Sequence, residues 1–132
     1  MRLLLDTNVY SALMRGDREI ALRIRSARQI LLSAVVVGEL FYGFRYGSRY
    51  DLNRTEFREF LRNPLVSLLP VSLATAELFG RISAELRRKG ALIPSNDIWI
   101  AAHAMETESD LLSFDPHFAR VQGLGWQPLH QS

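Results

Sequence analysis

Residues 3–10 read LLLDTNVY, three leucines that stop at an acid. An apolar run this short, bounded by turn-forming polar residues, has the form of a strand buried on both faces. Such a strand belongs to a sheet covered by helices, and the rest of the chain supplies them. Asn8–Arg15 reads as a short helix ended by Gly16, and Asp17 caps a second that runs to about Ala27. QILL at 29–32 is the next strand. Ser33 or Ala34 then begins a helix in which Val36, Val37, Leu40, Phe41 and Phe44 keep helical spacing up to Gly47. Asp51–Arg62 is a further helix, stopped by Asn63 and Pro64, and LVSLLPV at 65–71 is a third strand. Ser72 opens a long helix that Gly90 closes. PSND at 94–97 leads into an alanine-rich helix through about Glu106, and LLSF at 111–114 is a fourth strand with DPHF as a turn behind it. Alternating short apolar runs and longer amphipathic segments predict an α/β fold: one domain over 1–132, three-layer α/β/α, around a central, mainly parallel sheet of four to five short strands.

Composition narrows the chemistry. At 132 residues and 48% hydrophobic content the chain can bury a real core as a single domain. The absence of cysteine excludes disulfides, thiolate metal sites and cysteine nucleophiles, and suits a reducing compartment. The longest apolar region, ILLSAVVVGELFYGF, is 15 residues long and carries Glu39, too short and too acidic to span a bilayer, so a soluble cytoplasmic protein with no membrane partner is expected. Of the 16 basic residues 15 are Arg, whose forks suit phosphate oxygens, but a formal net charge of +2 is no strong nucleic-acid footprint.

The acids fall at equivalent places in this layout. Asp6 ends the first strand, Glu39 lies one turn into the helix after the second, Asp97 opens the alanine-rich helix and Asp115 ends the last strand. In open α/β sheets ligands gather at the carboxyl ends of the strands, so all four are placed to converge there. Carboxylates within about 4–6 Å of one another repel, and a hard divalent cation relieves them. Oxygen ligands without cysteine or paired histidine select Mg²⁺ or Mn²⁺ over zinc. Such a site typically handles phosphates, which implies phosphodiester hydrolysis with one metal ion or two. Each acid also has a plainer reading. Asp6 and Asp97 suit a helix start, Asp115 before Pro116 suits a turn, and Glu39, which interrupts an apolar helix face, could pair with an arginine.

Four segments together carry a family resemblance. LLDTNVYSAL at the N-terminus, SAVVVGELFYG around Glu39, NDIWIAAHA from Asn96 and LLSFDPHFARVQGL near the end are similar to the four acidic motifs of PIN-domain ribonucleases, and among them to the VapC toxins of toxin–antitoxin pairs. The resemblance implies a PIN-like domain and a Mg²⁺-dependent endoribonuclease, with Mn²⁺ able to substitute. Asp6, Glu39, Asp97 and Asp115 would form the metal-binding pocket, with Asp6 and Asp97 as direct ligands. Asn8 and Asn96 would steady the acids from behind. Ser113 stands where the family often has Thr and keeps the hydroxyl. It further implies a structured RNA substrate such as a transfer RNA, a homodimer, and silencing by a cognate VapB-type antitoxin. The alternatives are a metal-dependent phosphatase, which would need an acid where Asn8 stands, and a non-catalytic RNA- or protein-binding module on the same fold.

Two further groups of residues invite a function. His103, His117 and His130 could suggest acid–base ribonuclease chemistry without a metal, but nothing in the sequence brings two of them together; surface or capping roles are expected, with only His117 near the pocket. In FYGFRYGSRY at 41–50, Phe41 and Phe44 are expected in the core, while Tyr42, Tyr46 and Tyr50 would line a groove for a partner chain in preference to stacking on RNA bases. Trp99 and Trp126 are expected as core or dimer contacts.

Overall fold

Leu3, Leu4 and Leu5 are fully buried in strand β1 (Arg2–Leu5) of the computed structural model, which describes residues 1–130. The chain continues through α1 (Thr7–Met14), α2 (Arg18–Arg25), β2 (Gln29–Ser33), α3 (Ala34–Tyr46), α4 (Tyr50–Leu61) and β3 (Val66–Leu69). It closes with α5 (Leu73–Arg88), α6 (Ser95–Thr107), β4 (Asp110–Ser113), a 3₁₀ turn at Pro116–Arg120 and β5 (Trp126–Pro128). The strand order is β3-β2-β1-β4-β5, and every pairing is parallel. Leu4 at the centre stands opposite Leu31 on one side and Leu111 on the other. Right-handed crossovers then put α1–α4 on one face and α5 and α6 on the other. The chain leaves β1 toward β2 but returns from β3 to β4 on the opposite side, so β1 and β4 border the topological switch point of the sheet.

Three details differ from the sequence reading. Five strands fall within the four to five expected, but the sequence reading does not locate the fifth: β5 is a three-residue edge strand ending in Pro128 that pairs with β4 over Leu111–Ser113, so β4 is not the last. DPHF is the start of the 3₁₀ turn rather than a simple turn. His103 is buried, not a surface residue: Nδ1 lies 2.8 Å from Ser33 Oγ and Nε2 3.0 Å from the Pro70 carbonyl. A carbonyl only accepts, so Nε2 carries the proton and Nδ1 accepts from Ser33. Since the same Ser33 oxygen caps α3 by accepting the Val35 amide, His103 ties α6 to the start of α3 and to the end of β3.

Aromatic side chains close the core on the α1–α4 face. Tyr10 packs edge-on against Phe57 and Phe60 with centroids 5.7 and 5.3 Å apart, and Phe41 against Phe57 at 5.4 Å. Phe41 and Phe44 pack partly buried against the core, as expected. Opposite, Trp99 stacks on Phe79 at 4.0 Å, and Trp126 is half-buried with Nε1 donating to the Ser113 carbonyl. No helix of the described residues is long and apolar enough to cross a membrane.

α5 starts with a reciprocal cap. Ser72 Oγ accepts the Thr75 amide at 3.4 Å, Thr75 Oγ1 accepts the Ser72 amide at 3.0 Å, and Glu106 of α6 takes both hydroxyls, at 3.3 and 2.5 Å. Ser72→Ala is expected to cost about 1 kcal/mol. The check is urea unfolding: the midpoint should fall with the slope unchanged.

Candidate metal centre

Asp6 leaves β1 as the N-cap of α1, with only 8% of its surface exposed. One carboxylate oxygen accepts the Thr7 amide at 2.9 Å and the other accepts the Ser113 hydroxyl at 2.6 Å. Ser113 ends β4, next to β1 in the sheet, and its oxygen also accepts the Asp115 amide at 3.0 Å. One buried hydroxyl therefore links the first acid to the last across the switch point. Burial pushes the Asp6 carboxyl up from its ordinary value; the Ser113 and Thr7 bonds pull it back, and Glu39 and Asp115 raise it further.

The other acids arrive on three separate elements. Glu39, half-buried on α3, accepts the Thr7 hydroxyl on one oxygen and the Asn96 amide at 3.2 Å on the other. Asp97 stands in the first turn of α6. Asp115 lies two residues beyond β4 and caps the 3₁₀ turn by accepting the His117 amide at 2.9 Å. His117 brings Nδ1 to 3.1 Å from Asp115 and 3.9 Å from Asp97. Ligand atoms of Asp97, Asp115 and His117 lie within 4.8 Å of one another.

Electrostatics ties the group together. Burial, and after it the charges of Asp6, Asp115 and Glu39, push Asp97 up to about 6, while His117 opposes the rise. Among the described residues no arginine or lysine lies within ion-pair distance of any of the four acids. The arginine partner that would have made Glu39 merely structural is thus not there. A concentration of carboxylates without an arginine or lysine counter-charge fits a hard divalent cation, and Asp97, Asp115 and His117 are the residues whose ligand atoms lie within reach of one ion.

Asn96 reaches the site, whereas Asn8 is exposed and its side chain bonds none of the acids. Two contributors were missing from the sequence-derived set. Thr7 was read as a turn residue that orients Asp6; its amide does so, but its hydroxyl holds Glu39, 32 residues away. His117 was expected near the pocket, and in fact its ring faces two of the acids. Tyr50, expected in a groove, is instead held between two arginines, whereas Tyr42 and Tyr46 stack on one another in the open, 72% and 83% exposed.

The comparisons with known proteins bear on this arrangement. The chain matches the PIN domain model over residues 3–124. It is 36% identical over 106 residues to Ribonuclease VapC2 of Haemophilus influenzae, an alignment that covers 79% of both chains. This chain belongs to the PIN-domain family, among the VapC ribonucleases. Ribonuclease VapC2 of Rickettsia felis is 28% identical over 96 residues, covering 72% of this PIN domain and 70% of that protein. Among solved structures, VapBC-1 from nontypeable Haemophilus influenzae superposes with a TM-score of 0.86 at 26% identity, covering 97% of this chain and 98% of that one. VapBC2 from Rickettsia felis, bound to a DNA fragment from its promoter, matches the fold with a TM-score of 0.87 at 24% identity over 98% and 99% of the two chains. The four acids of this PIN domain come from the motifs that the sequence reading matched to the family.

Proposed function

We propose that this PIN domain, taken as one domain over 1–132, is the toxin of a VapBC-type pair, a Mg²⁺-dependent endoribonuclease that hydrolyses phosphodiester bonds of a structured RNA such as a transfer RNA. The observation that carries the reading is that Asp97 feels the charges of Asp6, Asp115 and Glu39 at the switch point, while no arginine or lysine among the described residues pairs with any of the four. Asp6, Glu39, Asp97 and Asp115 would hold the cation, with His117 beside them. Mg²⁺, or Mn²⁺ in its place, supplies Lewis acidity and positive charge toward a phosphoryl oxygen. The chain's own residues fix the geometry. Ser113 and the Thr7 amide lock Asp6, while Thr7 and Asn96 hold one oxygen each of Glu39. Burial and the neighbouring acids push the Asp97 carboxyl up to about 6, so its own charge is complete only above that value. Asn8, exposed at the rim, would meet the substrate.

The names of the relatives support the remaining parts. The name VapBC-1 couples a VapB to the VapC that this chain resembles, so a VapB-type antitoxin is the expected partner, and the open Tyr42–Tyr46 stack on α3 is where we place it. A cytoplasmic homodimer completes the reading. The test is purified protein on total transfer RNA with Mg²⁺, with Mn²⁺ and with EDTA. Discrete products with 5′-phosphate and 3′-hydroxyl ends should disappear in EDTA and return when metal is restored. Cutting that survives EDTA overturns the reading.

A further inference from the structure

Arg45 and Arg54 meet on one neutral atom. From the last turn of α3, Arg45 donates to the Tyr50 hydroxyl at 3.0 Å, and from α4 Arg54 donates to the same oxygen at 2.9 Å. Arg45 also stacks over the Tyr50 ring, 4.3 Å from its centroid, and Arg54 lies over Phe41 at 5.3 Å. Two guanidinium groups sharing one acceptor repel each other, yet no carboxylate among the described residues lies within ion-pair distance of either. Each guanidinium has five N–H donors, and each makes a single hydrogen bond within the described residues.

The same corner holds the start of a helix. α4 is 12 residues long, and its N-cap residue, Arg49, contributes no side-chain hydrogen bond, so the first-turn amides lack a side-chain acceptor. Asp51, exposed in that first turn, pairs with neither arginine. The same two helices, α3 and α4, line a groove of about 460 Å³ that begins at Thr7 and Glu39, passes Gly43 and Phe44, and reaches Asn53 and Glu56. Arg45 and Arg54 each follow directly on a groove residue. Along α3, Arg45 is six residues beyond Glu39, about 9 Å of helix rise.

The geometry points to a subsite for one backbone phosphate of an RNA strand, built by Arg45, Tyr50, Arg54 and the amide end of α4. It rests on the ribonuclease reading and would hold the strand near the groove whose far end is lined by Thr7 and Glu39. Tyr50 keeps the two forks from separating, the amides add donors, and a phosphate supplies the charge and the acceptor oxygens that one phenol lacks. The acids repel a polyanion, so an RNA that reaches them needs such a cationic hold at a distance.

The test is binding by the full chain carrying Asp6→Asn, which slows cutting, with EDTA present to stop what remains, to a labelled single-stranded RNA of about a dozen nucleotides, titrated across salt concentration. Adding Arg45→Gln with Arg54→Gln should weaken binding about tenfold at low salt. It should also make the slope of log K against log salt shallower by about 0.7, the share of one phosphate on a single strand. The double lysine variant should keep the slope and lose part of the affinity, because charge remains while the fork is gone. Arg54→Met keeps an aliphatic stem and removes the guanidinium that reaches Phe41 and Tyr50, so if it loses affinity at an unchanged melting temperature, misfolding is not the cause. A double glutamine variant with the parent's affinity and slope overturns the subsite. If the wild-type chain cuts RNA in a metal-dependent way while that result is found, only the subsite fails; if RNA is neither cut nor bound, the ribonuclease reading fails with it.

Discussion

Asp97→Asn and Asp6→Asn are each expected to slow metal-dependent cleavage by about a hundred- to a thousandfold or more, and Asp97→Asn to make the metal-free protein more stable. The two effects have one cause. In the fold the Asp97 carboxyl is pushed up to about 6 from an ordinary 3.8, so its ionised form is the one the native state resists. Below 3.8 the group is protonated whether folded or unfolded and contributes nothing. Between the two values the native state binds the extra proton, and stability falls as pH rises. Above 6 the whole penalty is present, at most about 3 kcal/mol for a gap of about two pH units. Only 16% of the side chain is exposed, so solvent relieves little of it. Asparagine keeps the shape and removes the charge. For a domain of this size the gain is roughly 5–10 °C in melting temperature at about pH 7.5. Wild-type protein without metal should therefore melt higher at about pH 5 than at 7.5, while the Asp97→Asn variant should show a flatter profile. Millimolar Mg²⁺ should raise the wild type at pH 7.5 and the variant much less. Calorimetry over pH with and without EDTA checks all of this, and an Asp97→Asn variant that melts lower than wild type at pH 7.5 would remove the argument that the acids are a strained cluster awaiting a cation.

That strain explains which parts of the site are legible in the sequence. Leu3–Leu5 announces a doubly covered strand because burial on both faces leaves no room for alternation. Asp6, Asp97 and Asp115 stand out because each sits at a strand end or helix start, and Glu39 because it interrupts an apolar helix face. What linear reasoning lacks is the partner of each oxygen. Thr7 looks like half of a turn because its two roles, an amide to Asp6 and a hydroxyl to Glu39, depend on α3 lying against α1, a fact of packing. Tyr50 looks like a groove residue because its two arginines belong to two different helices. β5 escapes notice because three residues ending in proline make no periodic signal, and its existence depends on an open edge at β4. His103 is hidden for the opposite reason: its neighbours Ala101, Ala102 and Ala104 are all buried, and a polar ring among them is tolerable only because Ser33 and Pro70 lie within reach. The four-carboxylate pattern is local enough to read; the network that holds it in place is tertiary.

Ser113→Ala is expected to lose about 2–3 kcal/mol of stability and to weaken Mn²⁺ binding roughly 10- to 100-fold, although none of the proposed metal ligands is replaced. The hydroxyl is fully buried, donates to buried Asp6 and accepts from the half-buried Asp115 amide, so its removal leaves both partners unmatched at once. Its bond is the first of the influences that hold the Asp6 carboxyl down against burial. Without it the proton competes more strongly with the cation, and the loss of affinity should grow as pH falls, a dependence that a simple packing defect would not produce. Ser113→Thr retains the hydroxyl, and the resembled family often uses threonine there; its affinity should stay within a few-fold of wild type. Titrating Mn²⁺ calorimetrically into all three proteins at two pH values reads the difference. Equal affinity and equal pH dependence in Ser113→Ala would mean that β1 and the Thr7 amide alone fix Asp6, and that the hydroxyl between the first and last acids serves only to fill the switch point.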